Sequence, residues 1–207
     1  MMSTEYRDLY NDFSEKQKKI YNICMEYPFL IPRDIDGNRD EEFDYEYLGL
    51  EIPVGWRKLF FQMCKDIKPL LEKEGAMDDF YFLQVKEKYN ILRCYSNGVA
   101  SQEVNDIITK YEHMAYYVCT QCGRPATYET QVYLASFCED CIQNINHRQI
   151  DKIEFKPYYR TIGFARGESY DKTISFEDEW NRYLKENGYD VEVIGTVFEN
   201  ADLLESD

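Results

Sequence analysis

Residues 119–141 read CTQCGRPATYETQVYLASFCEDC and contain two Cys-x2-Cys pairs with fifteen residues between them. Two cysteines separated by two residues can wrap one edge of a metal tetrahedron, and a second pair completes the coordination. Both the spacing within each pair and the spacing between pairs are typical of zinc sites. The stretch therefore predicts one zinc ion held by four thiolates, from Cys119, Cys122, Cys138 and Cys141.

The predicted zinc is structural, because four thiolates leave no open coordination position for water or substrate. Strand-forming residues fill 126–137 between the two pairs and predict a two-stranded hairpin. The second pair leads into residues 142–150, which can be helical. A cysteine knuckle, a hairpin and a pair that opens a helix follow the treble-clef order. We therefore expect a treble-clef-like module over residues 117–150.

The residues before this module predict an α+β domain over 1–116. Apolar residues recur at helical spacing in 3–27, 55–74 and 102–117. In the middle helix Trp56 begins an apolar stripe and is predicted to anchor the core with its ring towards the hairpin. Pro69 predicts a kink or an early stop in that helix.

Two strands and a loop complete this domain. Residues 80–88 and 91–95 are rich in aromatic and branched residues and predict a hairpin that turns at Tyr89-Asn90. Residues 33–51 predict an acidic loop that brings Tyr45, Tyr47 and Leu48 back to the core.

The end of the chain, 151–207, predicts a strand, a helix and a strand that pack on the core, followed by an acidic tail. The first strand is expected over 153–164, and the helix is expected to end at Gly188. The last strand is expected over 191–198.

One face of the predicted hairpin is a candidate binding surface. Gln84, Lys86 and Lys88 alternate along a strand and share a face, which Arg93 on the next strand can join. One interpretation is a solvated sheet face. The other is a site for a phosphate or carboxylate. An acidic side chain from 41–46 would neutralise the cations and make them structural.

Charge and composition narrow the function classes. The chain has 39 acidic and 24 basic residues, a net charge of −15, while residues 52–117 are neutral overall. Such a chain repels nucleic acid over most of its surface. No stretch predicts a signal peptide or a membrane span. Seven cysteines, three of them outside the motif (Cys24, Cys64 and Cys94), favour a reducing cytoplasm over a disulfide scaffold.

Catalysis has little support in the sequence. The two histidines are His113 and His147, and no Gly-rich phosphate loop, nucleophile elbow or HExxH motif occurs. We therefore favour a binding protein over an enzyme.

Several motifs together resemble a known family. Gly55-Trp56 at a helix start, QVKEKY at 84–89, LRCY at 92–95 and Cys119-x2-Cys122-Gly123 resemble an uncharacterised family of small proteins from bacteria and their phages. Members of that family often end the metal motif in cysteine, an acidic residue and histidine, whereas this chain has Cys138-Glu139-Asp140-Cys141. The resemblance implies that this is a cytosolic protein encoded by a mobile element, and it implies no activity.

Two functional hypotheses follow. The leading one is a cytoplasmic binding or adaptor protein whose acidic surface engages a basic protein, with an inhibitor or immunity-type role as one version. The alternative is a nucleic-acid-associated regulator that uses the zinc module and the Lys86, Lys88 and Arg93 face. An enzyme with an unrecognised site is a third reading, and the sequence does not indicate an oligomeric state.

Overall fold

The computed structural model describes residues 13–34, 36–40, 42–131, 134–145, 150–153, 158–165, 168–175 and 177–189. The chain divides into two compact units, residues 1–155 and 156–207. Both helices and small sheets are present, so the chain is α+β as expected. None of the helices in the described ranges is long and apolar enough to cross a membrane.

The longer helices described in the first unit are α1 (Glu15–Glu26), α2 (Arg57–Glu74) and α3 (Gln102–Met114). Ser14 and Gln17 form a capping box at the start of α1, and the Ser101 hydroxyl caps α3. Helix α2 ends at Gly75, whose φ of 69° is left-handed.

The early stop predicted at Pro69 is wrong, because α2 continues to Glu74. Proline removes one backbone donor from the helix. Ile67 and Leu71, on either side of Pro69, are fully buried. Burial of both side chains in the core holds the last turn in helical conformation despite the missing hydrogen bond.

A three-stranded sheet lies in the order β1 (Leu50–Glu51), β2 (Phe82–Lys88) and β3 (Ile91–Ser96). Strand β1 is parallel to β2, and β2 is antiparallel to β3. The turn residues Tyr89 and Asn90 both have positive φ, 54° and 60°, as in the tight two-residue turns of hairpins. The predicted hairpin is therefore confirmed.

The core of the first unit is aromatic and aliphatic. Helices α2 and α3 pack on each other, and α3 also packs on β3. The fully buried large side chains of this unit are Phe29, Trp56, Leu59, Phe60, Met63, Ile67, Leu71, Phe80, Leu92 and Tyr111.

The acidic segment 33–51 returns to this core only in part. Tyr45 is buried beside Tyr21, and Leu48 packs against the same cluster, as predicted. Tyr47 is 57% exposed, so the prediction for its ring is wrong. Its hydroxyl donates a hydrogen bond to the Leu50 carbonyl, which holds the phenol at the surface beside β1.

The cysteine-rich region forms a second small sheet in the order β5 (Ala135–Phe137), β4 (Tyr128–Thr130) and β6 (Ile150–Lys152). The short helix α4 (Glu139–Ile142) follows β5 directly. The hairpin between the cysteine pairs is present, and the second pair opens a helix. The helix predicted over 142–150 is wrong, because α4 ends at Ile142 and Ile150 begins β6, which pairs with β4.

The second unit contains a hairpin of β7 (Tyr158–Ala165) and β8 (Glu168–Ser175) and the helix α5 (Glu177–Glu186). Strand β8 was not predicted from the sequence. Trp180 and Tyr183 on α5 are buried, with ring centroids 5.6 Å apart. The strand predicted over 191–198 lies outside the described residues. The packing of 151–207 on the core stays a prediction.

Candidate metal centre

The structure brings the four predicted cysteines together. All four Sγ atoms lie within 4.8 Å of one another, and the Cys122 and Cys138 sulfurs are 3.6 Å apart. Cys119 and Cys138 are buried, whereas Cys122 is exposed at the rim. Four sulfurs about 2.3 Å from a tetrahedral zinc ion lie about 3.8 Å from one another. The cluster therefore has the dimensions of a four-thiolate metal site.

The first pair sits in a tight knuckle. The Gly123 amide donates to the Cys119 carbonyl at 3.0 Å, and the Cys119 amide donates to the Arg124 carbonyl at 2.7 Å. Gly123 has a φ of 79°, which a residue with a side chain rarely adopts. This turn folds the chain back so that both sulfurs face the same point.

The second pair is carried by β5 and α4. The Ile142 amide donates to the Cys138 carbonyl at 3.0 Å, which starts the helix at Cys138. Thr120 joins the two halves, because its amide and its hydroxyl both donate to the Ser136 carbonyl, at 2.9 and 3.1 Å. Both donors of Thr120, one from the backbone and one from the side chain, therefore hold the two pairs side by side.

The thiols of the cluster affect one another's ionisation. Burial raises the pKa of the Cys119 thiol. Burial, followed by hydrogen bonds to the neighbouring thiols, raises the pKa of Cys141 to about 12. Burial opposes ionisation of Cys122 as well, yet a hydrogen bond from Arg124 Nε at 3.4 Å helps to lower its pKa to about 6. The thiol chemistry favours a bound dication, which would let all four ionise together.

Arg124 also links the two halves of the site from outside. One of its guanidinium nitrogens lies 2.6 Å from the Asp140 carboxylate, on the turn of α4 between the second pair. The guanidinium therefore spans the rim from Cys122 to α4. Among the described residues no histidine joins the cluster. Burial lowers the pKa of His113 to about 3, and His147 lies outside the described residues.

The knuckle is bound to the core through the start of α2. The Gly55 amide donates to the Thr120 carbonyl at 2.9 Å. The indole Nε1 of Trp56 donates to the Val118 carbonyl at 2.9 Å, and the Trp56 side chain is fully buried. The core position predicted for Trp56 is confirmed, while its hydrogen bond to the residue before Cys119 was not predicted.

The hairpin tip is bound to the cysteine-rich sheet through Asn90, which is fully buried. Its Nδ2 donates to the Ser136 hydroxyl at 2.7 Å, and the Ser136 amide donates to its Oδ1 at 3.1 Å. The Asn90 amide donates to the Glu87 carboxylate at 2.7 Å. Sequence reasoning identified Asn90 only as a turn residue. The choice of asparagine at the second turn position is the signal that was available.

The hairpin face also assembles as its spacing predicted. Lys86 lies directly opposite Arg93, with Gln84 and Lys88 on either side along β2. Lys86 Nζ donates to the Gln84 side-chain oxygen Oε1 at 2.7 Å and lies 5.4 Å from the centroid of the Tyr95 ring. Two cations on facing strands repel each other unless an anion lies between them.

Partial neutralisation of this face comes from unexpected residues. Glu51 on β1 is in register with Lys86 and accepts a hydrogen bond from Gln84 at 3.3 Å. Glu112 on α3 lies close enough for the Arg93 charge to favour its ionised form. Among the acidic residues of 41–46, which were expected to neutralise the cations, Glu46 pairs with Lys16 instead. No ion pair joins Lys86, Lys88 or Arg93 to another residue in the part of the chain that the structure describes.

Comparison of the chain with protein-family models, with curated proteins and with solved structures found no match. The resemblance to the bacterial and phage family stays a prediction.

Proposed function

We propose that this chain is a cytoplasmic binding protein in which one structural zinc ion holds a recognition scaffold that engages another protein. The observation that carries the proposal is the four-thiol cluster. Residues next to the cysteines form hydrogen bonds with Gly55 and Trp56 at the start of α2. Ser136, on the strand before Cys138, forms hydrogen bonds with Asn90 at the hairpin tip.

Zinc is the metal that the donor set favours. Four sulfur donors in two Cys-x2-Cys pairs suit zinc or an iron–sulfur cluster, and zinc is the ion for a closed four-thiolate site built on a knuckle and a helix start. The order of knuckle, hairpin and helix supports the treble-clef assignment. All seven thiols are free, which fits a reducing compartment.

The metal acts on the scaffold through β5. Ser136 lies two residues before Cys138 and makes the hydrogen bonds to Asn90. Fixing Cys138 by metal coordination therefore fixes the strand that holds the hairpin turn. Because the hairpin carries the Lys86 and Arg93 face, metal binding and surface geometry are coupled.

The charge of the chain favours a basic protein as the partner of its acidic surface. A net charge of −15 gives a negative field over most of the molecule, which accelerates association with a basic partner and repels acidic ones. An inhibitor or immunity-type protein that covers a basic site is one form of this function.

The test is recovery of partners from a native host lysate with charge-reversed variants. Asp36→Lys/Glu42→Lys/Glu74→Lys reverses three exposed carboxylates and should abolish recovery of a basic protein. Lys58→Glu/Lys65→Glu reverses exposed lysines of α2 and is the matched control. Recovery that is unchanged by the acidic variant, with the same protein bound, would exclude the acidic surface as the interface.

A second function, association with nucleic acid, is favoured by one observation. Lys86 lies opposite Arg93, and the exposed rings of Tyr89 and Tyr95 lie beside the lysines of β2. Cations interleaved with aromatic rings are the elements of single-strand binding surfaces. This second candidate predicts nucleic acid in the purified sample and its loss in Lys86→Glu/Arg93→Glu, at unchanged thermal stability. Lost stability with unchanged nucleic-acid recovery would leave the face structural.

A further inference from the structure

A cavity of about 170 Å³ opens beside the first sheet, between the residues leading into β1 and the first half of β2. Its wall is mainly apolar, and one of the lining residues, Leu83, is 64% exposed and lies at an irregularity in strand pairing. Gly49, with a φ of 68°, leaves open space where a side chain would stand. The apolar part of the wall is formed by Leu30, Pro32, Leu48, Leu50, Phe82 and Val85.

One cation, Arg33, lines this cavity. Its guanidinium lies 5.1 Å from the centroid of the Tyr81 ring, in a cation–π contact. One terminal nitrogen donates to the Gly37 carbonyl at 3.2 Å, and the other donates to the Asp78 carbonyl at 2.8 Å. Both acceptors are neutral backbone groups, so neither neutralises the charge.

Arg33 forms no ion pair with any residue of the described ranges. The nearby carboxylates are used elsewhere: Asp78 pairs with Arg39 at 2.6 Å, and Asp34 accepts bonds from Asn38 and from the Asp36 amide. Arg33 Nε is buried and has no hydrogen-bond partner, and it is the one such side-chain atom found among the described residues. A buried donor left unpaired costs stability, and the charge of the same guanidinium has no anion beside it among the described residues.

We propose that this cavity binds a small organic monocarboxylate. The apolar part of that ligand would lie between the leucines, and its carboxylate would contact Arg33. A guanidinium carries five donors, and two are used here, so a carboxylate can be bound by the remaining ones. A cavity near 150 Å³ holds a molecule of about the size of benzene. A dianion such as phosphate would lose more hydration in an apolar pocket than a monocarboxylate does.

This site is independent of the proposed protein partner and of the metal cluster. Its ligand would be an aromatic or branched aliphatic acid of the kind that the apolar wall can cover. Tyr81 and Gln84 are the other polar side chains at the wall, and Gln84 is already engaged with Lys86 and Glu51. Arg33 is therefore the group that selects the charge of the ligand.

The experiment titrates the full ¹⁵N-labelled chain with benzoate and, separately, with benzamide, which has nearly the same shape and no charge. We expect benzoate to shift the amide signals of Gly49 and Leu83 and the Arg33 Nε–H signal. Benzamide should bind about tenfold more weakly, because its neutral amide oxygen carries no negative charge to pair with the guanidinium. No shift with benzoate, or equal binding of the two probes, would overturn the proposal.

Two exposed positions provide the charge test without altering Arg33. Leu83→Asp places a carboxylate at an exposed residue that lines the cavity and should weaken benzoate binding about tenfold. Val99→Asp adds the same charge at a residue that is 50% exposed and does not line the cavity, and it should leave the affinity within about twofold. Equal weakening by both variants would mean that net charge, not the cavity, governs binding, and would also overturn the proposal.

Discussion

Gly55 and Gly123 meet backbone to backbone. A Cβ atom on Gly123 would lie 2.8 Å from the Gly55 carbonyl oxygen, and a Cβ atom on Gly55 would lie 2.7 Å from the Gly123 amide nitrogen. The same added atom on Gly55 would lie 2.0 Å from the Cys119 carbonyl oxygen. The cysteine knuckle is therefore docked on the start of α2 at a distance that only two glycines allow.

Gly55→Ala should destabilise the protein by about 3 kcal/mol or more, because the added methyl group meets backbone atoms that cannot rotate away. The displaced atoms belong to Cys119 and to the residues after it, so zinc affinity should fall as well. Urea unfolding and a competition assay with a zinc chelator measure the two effects.

Gly98→Ala is the control for this substitution. Gly98 has a φ of 80° and open space at the Cβ position, so alanine there adds backbone strain of about 1–2 kcal/mol and no clash. Its zinc affinity should equal that of the wild type. If Gly55→Ala kept wild-type zinc affinity, the docking of the knuckle on α2 would not matter for the metal.

Two substitutions of Trp56 distinguish the contribution of packing from that of the hydrogen bond where the knuckle contacts α2. Trp56→Ala should cost about 3–5 kcal/mol, since it empties a fully buried site. Trp56→Phe keeps most of the volume but leaves the Val118 carbonyl without its indole donor, and should cost about 1–3 kcal/mol. Denaturant unfolding of both variants with zinc bound gives the comparison. A stable Trp56→Ala variant that loses only partner binding would instead assign Trp56 to an interface.

The local elements of the fold could be predicted because their signals are local. The apolar stripe of α2 and the hairpin at Tyr89-Asn90 each depend on residues within one helix face or one strand pair. The cysteine cluster was predictable for the same reason, because metal geometry dictates the spacing within each pair.

Contacts between distant segments could not be predicted in this way. Nothing near Gly55 in the sequence shows that it meets Gly123, and nothing near Asn90 shows that it binds Ser136. The parallel strand β1 is only two residues long, so it left no alternation to detect. The source of the charges beside the hairpin face, Glu51 and Glu112, likewise depends on how β1 and α3 pack.

Metal removal should loosen the hairpin as well as the cysteine cluster. We expect one zinc per chain by elemental analysis, and Cys122→Ser should weaken zinc binding by leaving three thiolates.

On removal of the metal, the Ser136 amide should exchange faster with solvent, because β5 is no longer fixed at Cys138. Cys94→Ala, outside the cluster, is the control and should keep the metal. If the Ser136 amide exchanged equally slowly without metal, metal binding would not be coupled to the hairpin.

Glu112 should make stability fall as pH rises near neutrality. Burial raises the pKa of its carboxyl to about 7, against the opposing effects of a hydrogen bond from the Cys94 amide and the Arg93 charge. Between the unfolded pKa of about 4.5 and pH 7 the folded state binds more protons than the unfolded state, so the free energy of unfolding decreases with pH. From pH 6 to pH 8 this amounts to about 1 kcal/mol.

Glu112→Gln isolates this contribution. The amide oxygen can still accept the 2.7 Å hydrogen bond from the Cys94 amide, but the side chain no longer titrates. The stability of the variant relative to the wild type should therefore rise by about 1 kcal/mol between pH 6 and pH 8. His113, whose pKa burial lowers to about 3, acts in the opposite direction and cancels in this difference because both proteins contain it. Glu103→Gln, at an exposed position of the same helix, is the matched control and should give a flat difference. A flat difference for Glu112→Gln as well would mean that the carboxyl is already ionised at pH 6 in the folded protein.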